Sequence, residues 1–182
     1  MFYNTSAAEQ QFNQIYQAYH KDVYHFLYCF TGNRGDAEDL TQETFIRVAA
    51  SLSKFEGRAH LKTWMIAIAK NLSREWARKK RLSSFFTDVI LRNMPAEDGL
   101  PEPELETKES YKQILAGLQK LKPQYRTVII LRLIEEYSVK ETAEILSCTE
   151  IKVKVDFHRA IKKLQNVLEP DARGEWKNVL AK

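Results

Sequence analysis

The residues best suited to chemistry in this chain are charged, and what they suit is binding rather than bond-making. Asp39, Gln42 and Glu43 recur at helical spacing. That short row is either a solvated helix face or a surface that docks a protein. Downstream, Lys62, Lys70, Arg74, Arg78, Lys79, Lys80 and Arg81 share one helical stretch, opposed within it by Glu75 alone. So one-sided a charge attracts polyanions. Part of the signal has a structural cause, because bases near a helix C-terminus also complement its dipole. Between the two lies SKFEGRAH, Ser53 to His60, where Phe55 stands in a polar setting. It either folds back onto the core or meets a ligand. A second basic set, Lys152, Lys154, His158, Arg159, Lys162 and Lys163, lines the outer side of a later helical stretch.

Little points to catalysis. Cys29 and Cys148 form no CxxC or Cys/His cluster, and His20, His25, His60 and His158 are scattered. A disulfide scaffold or zinc site is not expected. No nucleophile–base pairing stands out, and no cofactor is expected. The net charge of +4 is weak evidence for nucleic acid by itself; the clustering matters more. With 44% hydrophobic and 29% charged residues, the chain can bury a core.

Helices must position these groups. From Ala7 to Thr31, Phe12, Ile15, Tyr16, Tyr19, Val23, Phe26, Leu27 and Phe30 keep helical period, as one bent helix or two around His20-Lys21-Asp22. Gly32, Asn33 and Gly35 stop it, and Asp36 is the expected N-cap of the next helix. There Ala37, Leu40, Thr44, Phe45, Val48 and Leu52 face inward. Helical period resumes from Leu61 to Arg81. Pro95, Pro101 and Pro103 and a run of acids mark residues 83–110 as a linker, in which Phe85 to Met94 is apolar enough for a short helix or a docking segment. Beyond it, Tyr111, Ile114, Leu115 and Leu118 predict one helix and Pro123 starts another. Ser138-Val-Lys-Glu141 has capping-box form, Ser147-Cys148-Thr149 breaks the period, and a last helix runs from Glu150 to about Leu168. A short capped helix, a tight turn and a basic second helix predict a helix-turn-helix, with a basic αα-hairpin as the alternative. No secretory leader is visible, and no stretch has the roughly 18–20 apolar residues that span a bilayer. The expected location is the cytoplasm.

Together these motifs resemble a bacterial extracytoplasmic-function (ECF) sigma factor of the sigma-70 family, over nearly the whole chain. Asp39-Leu40-Thr41-Gln42-Glu43-Thr44-Phe45 is similar to the D-L-x-Q-E-x-F signature of that family's second region. Thr63-Trp64 through Asn71 is similar to T-W-L-x-x-I-A-x-N, with Met65 in place of Leu. Leu118 through Leu164, with Leu121-Lys122-Pro123 and Tyr125-Arg126-Thr127-Val128, resembles the fourth region. FEGR, KTW, ETA and KVK look like the Bacillus-type members that serve the cell envelope.

The resemblance implies an all-α chain of two small helical domains, residues 7–82 and 111–169, joined by a flexible acidic linker over 83–110 and followed by a tail over 170–182. It implies that Asp39, Gln42 and Glu43 dock on the β′ coiled coil of core RNA polymerase, with the β subunit a further contact. Phe55, Arg58, His60, Lys62, Lys70 and Asn71 would serve the −10 element, with a flipped base held near Phe55–His60. Arg74, Arg78 and Lys79 would track phosphates. Lys152, Lys154, Val155, His158 and Arg159 would read the −35 element from the major groove. An anti-sigma factor, often in the membrane, is an implied partner, while the chain itself is not membrane-embedded.

One stretch departs from the family pattern P-x-G-T-V-K-S-R-x-x-R-A. Ile151 stands at the Gly, Val155 at the Ser and Asp156 at the Arg. An acid facing DNA repels phosphate unless it accepts a hydrogen bond from cytosine N4. Two other classes remain at this point. A stand-alone helix-turn-helix repressor would need a symmetric dimer and a palindromic site. A nucleic-acid enzyme would need a metal cluster or an activated nucleophile.

Overall fold

The computed structural model describes residues 7–57, 59–87 and 113–168. Arg58, the segment 88–112 and the tail from 169 lie outside them, and with these residues 88–110 of the expected linker; its first five residues, 83–87, are instead the end of a helix. No strand occurs among the described residues.

α1 (Ala7–Thr31) is one continuous helix; the polar His20-Lys21-Asp22 does not divide it. Gly32 turns the chain at a φ of +66°, a left-handed conformation that glycine adopts without strain. α2 (Arg34–Ser51) begins earlier than the sequence predicts: its N-cap is Asn33, not Asp36. The backbone of Asn33 is extended, and its side-chain oxygen accepts from Asp36 N–H at 2.9 Å. Asp36 therefore sits inside the first turn, where an acid still meets the positive end of the dipole. A 3-10 turn (Leu52–Lys54) leads into the loop, and α3 (Leu61–Thr87) runs past the expected Arg81.

α1, α2 and α3 pack against one another in pairs. Val23, Phe26, Leu27 and Phe30 of α1 meet Ala37, Phe45 and Val48 of α2 and Met65, Ile66 and Ala69 of α3 in one buried cluster. Each of the larger side chains contributes about 1.5–3 kcal/mol through burial. Phe45 is the edge-on partner of both Phe12 and Tyr16.

The second unit begins with α4 (113–119). α5 (Pro123–Ile129) has its proline in the first turn, where the missing N–H is not needed. The helix continues as a π turn (Ile130–Ile134), so the β-branched Val128, Ile129 and Ile130 are helical. α6 (Val139–Leu146) carries the predicted capping box: Ser138 Oγ accepts from Glu141 N–H at 3.2 Å, and the Glu141 carboxylate accepts from Ser138 N–H at 2.8 Å. Ser147 closes α6 in the left-handed region at φ 53°. α7 (Glu150–Val167) starts at Thr149, whose side chain accepts from Lys152 N–H. Val153, Ala160 and Leu164 turn its inner side onto Leu118, Ile129 and Ile145.

The two units touch. α3 packs on α6, and the C-terminal end of α1 meets α5 and the π turn. Arg126 and Gln119 reach back to the last carbonyls of α1, which have no partner within the helix. Gln119 lies so close over Gly32 that a Cβ there would stand 2.8 Å from its amide nitrogen.

Candidate functional site

Three surfaces carry the expected residues. The first is the outer side of α2. Asp39 and Gln42 are exposed and Glu43 is half-buried. Glu43 accepts from Arg47 Nε at 2.9 Å, and Arg47 reaches on to Glu75 of α3 at 3.4 Å. These partly exposed pairs contribute about 0–1 kcal/mol each; their effect is to fix the carboxylate's direction. Ile46, 63% exposed, continues the same row one turn on. Asp36 lies elsewhere, accepting from Trp76 Nε1 at 3.2 Å and from Lys80 at 3.4 Å.

The second surface is α3 and the loop before it. Phe55 is half-buried, its ring 5.0 Å from that of Trp64, so it does fold back while keeping one face partly open. His60 is exposed. Lys62 donates to Asp22 at 2.8 Å and lies 5.8 Å from the Tyr137 ring of the second unit. Lys70 is only 3% exposed. Burial lowers its pKa, Arg74 adds to the effect, and Cys148 opposes it. Its position on the buried side is invisible to residue type, since lysine at helical spacing normally points outward. Asn71, Arg74, Arg78 and Lys79 are exposed.

Asn71, Arg74 and Arg78 open onto a cleft of about 770 Å3 that Arg47, Arg81 and Lys122 also line. Five cations there face Glu75, an arrangement that draws an anionic strand by charge focusing. Lys122, Pro123 and Gln124 bring the start of α5 to the cleft's far wall.

The third surface is α7. Lys154, His158 and Arg159 are exposed, as is Val155 at 41%. Lys152 is exposed but engaged, donating to Asp156 at 2.6 Å. Hydrogen bonding to that carboxylate, then its charge, raises the Lys152 pKa. Asp156 thus turns along the helix to its own lysine, its side chain 15% exposed. The capping box, the left-handed Ser147 and the Thr149 cap set α6 and α7 in a helix-turn-helix whose second helix presents its basic side outward.

Sequence reasoning missed the contacts between the units: His25 with Glu135, and Arg126 and Gln119 with the end of α1. One signal was present. Arg126 stands beside the apolar stretch Val128 to Leu131; it is buried with that stretch, and a charge so placed needs partners. Cys29 is buried and Cys148 half-buried, and no disulfide joins them. Among the described residues no group of three or more metal-ligating side chains gathers, and no helix is long and apolar enough to cross a membrane.

Comparison with known proteins agrees with this geometry. Residues 15–83 match the family model for Sigma-70 region 2, and residues 111–164 that for Sigma-70, region 4. The chain is 36% identical over 167 residues to the ECF RNA polymerase sigma factor SigX of Bacillus subtilis (strain 168), covering 88% of this chain and 85% of SigX. It is 31% identical over 169 residues to SigW of the same organism, covering 88% and 90%. In fold it is similar to the sigma factor RpoE from Bartonella quintana, solved with the anti-sigma factor NepR, at a TM-score of 0.70 and 23% identity over 87% of this chain and 96% of that one. Two family models in their proper order, and relatives matched over most of both lengths, place the chain: it belongs to the ECF RNA polymerase sigma factors.

Proposed function

We propose that the chain docks on core RNA polymerase through Asp39, Gln42 and Glu43 and directs it to promoters bearing its own −35 and −10 elements. α7 enters the major groove at the −35 element, and α3 with the Phe55–His60 loop takes the −10 element. One observation carries the reading: an acidic row on α2 and two basic surfaces, on α3 and α7, stand open to solvent on separate helices of one chain. A protein surface and a polyanion can then be held at once. Melting a promoter costs about 1.4 kcal/mol per base-pair step. Stacking of an extruded base beside Phe55, and phosphate contacts in the cationic cleft, would offset part of that. The chain acts in the cytoplasm, where core polymerase is, and its own residues perform no bond-making step.

We also propose control by an anti-sigma factor and a role in an envelope-stress response, supported by the relatives' family and by the solved complex of RpoE with NepR. The deciding experiment is transcription from purified parts. Core polymerase plus the chain should give transcripts from duplexes selected out of random sequence by that holoenzyme, and core alone should not. The double variant Asp39→Ala, Glu43→Ala should fold normally, since both side chains reach solvent, yet bind core polymerase at least about tenfold more weakly. Unchanged binding removes the docking assignment.

A further inference from the structure

The exposed side of α7 is not uniformly basic. Ile151, Val155, His158 and Lys162 follow one another at helical spacing in a single row. That row lies opposite the buried Val153, Ala160 and Leu164. Its trailing end is basic and its leading end is apolar. Ile151 is 75% exposed and Val155 41%. Neither is among the partly buried residues packed against the core. They are also the positions where this chain carries aliphatics in place of the Gly and Ser of the family pattern.

Such a pair inside a basic face calls for one occupant. The flanking Lys154, His158 and Arg159 are exposed, and such a set suits a polyanion. Within the major groove, the apolar group that a base edge offers is the thymine 5-methyl. An aliphatic side chain there can neither donate nor accept, so it cannot read guanine, cytosine or adenine by hydrogen bonding. Asp156 does not supply the missing polar readout, because it is held by Lys152 at 2.6 Å.

We propose that Ile151 and Val155 are specificity-determining residues of the upstream element, each packing on a thymine methyl. This rests on the reading of α7 as the helix that enters the −35 major groove, and it goes beyond that reading by naming which base feature is recognised and by which side chains.

The test uses holoenzyme assembled from core polymerase and the full chain. Duplexes are selected from random sequence. Each thymine of the upstream element, on either strand, is then replaced singly by deoxyuridine, which lacks only the methyl. At two positions the wild-type protein should bind about fourfold more weakly, the loss expected for one methyl group left unburied. Ile151→Ala and Val155→Ala should each become indifferent to deoxyuridine at one of those positions and stay sensitive at the other. Both side chains are exposed, and alanine favours the helix, so melting temperature should not fall. Equal binding of thymine and deoxyuridine throughout, or selection of an upstream element made only of G·C pairs, overturns the inference and leaves the reading of α7 standing. If scrambling the whole upstream element costs nothing, the reading of α7 fails, and this inference with it.

Discussion

Arg126 Nη1 donates to the carbonyl oxygen of Phe30 at 2.6 Å, and the same guanidinium lies 5.1 Å from the Phe30 ring. One side chain of the second unit thus closes the C-terminus of α1, where a cation also meets the negative end of the dipole. Its other hydrogens go to Leu118 O at 2.9 Å, Gln119 Oε1 at 2.7 Å, Gln119 O at 2.8 Å and Leu121 O at 3.3 Å. Burial pushes its pKa down to about 10, which leaves it charged at neutral pH. Arg126→Met should lower unfolding stability by about 2–4 kcal/mol, because buried carbonyls lose their donors. Arg126→Lys should recover less than half of that loss, since an ammonium cannot reproduce the planar fork. Urea denaturation of the three proteins checks it. A Lys variant as stable as the wild type would mean that charge alone, not the fork, holds the junction.

A second tie between the units depends on pH. His25 Nδ1 is 2.7 Å from Glu135 Oε1, and Cys29 Sγ is 3.8 Å from Nε2. Hydrogen bonding to Cys29, then to Glu135, raises the His25 pKa from 6.5 to about 10 against the effect of burial. The folded value lies above the unfolded one. The contribution to stability is therefore complete below about pH 6.5 and is lost as pH climbs through 10. Because the His25 side chain is 46% exposed, solvent screening makes that contribution smaller than a buried pair would give. A nuclear magnetic resonance titration should show His25 still protonated at pH 8, and Glu135→Gln should move its midpoint down. A wild-type midpoint near the ordinary histidine value would remove the pair from the account.

The helices were legible because their signals are local. The period of α1, Pro123 at the start of α5 and the Ser138/Glu141 box each act within a turn or two of chain. The cap of α2 was misplaced by three residues because Asn33 and Asp36 are both good capping types, and only the extended backbone of Asn33 decides between them. The partners at the junction were not legible. Arg126 and Phe30 are 96 residues apart, and no spacing rule reaches that far. The same blindness explains Lys70: its residue type points to solvent, but it is buried, with Cys148 of the second unit near enough to act on its charge.

That burial can be measured. Lys70 is 3% exposed, whereas Lys79 on the same helix is open to solvent. An acylating reagent needs an unprotonated amine. The lowered pKa of Lys70 would by itself speed the reaction, so slow labelling reports coverage and not charge. In the isolated chain Lys70 should be acylated at least about tenfold more slowly than Lys79, as for a group that reacts only through local opening. If Lys70 meets the −10 element, the two units must part first, and its labelling should quicken when core polymerase binds without DNA and slow again when promoter is added. Equal rates for both lysines in the isolated chain would contradict the burial of Lys70.

Asp156 offers a test of how α7 meets DNA. Its carboxylate holds Lys152 at 2.6 Å, and the Lys152 amine is otherwise exposed. Asp156 weakens DNA binding in two ways: the acid repels phosphate, and it keeps a neighbouring cation from reaching one. Asp156→Asn removes both without changing the side chain's shape. The variant holoenzyme should bind duplexes of unrelated sequence more tightly, and the slope of log affinity against log salt should steepen by about 1, the change expected for one added phosphate contact. Lys152→Met in that background should return the slope to its wild-type value, which separates a freed Lys152 from a general gain in charge. If instead Asp156→Asn weakens binding only at selected sites that carry a cytosine under α7, the carboxylate is a base contact, and its bond to Lys152 is broken on DNA.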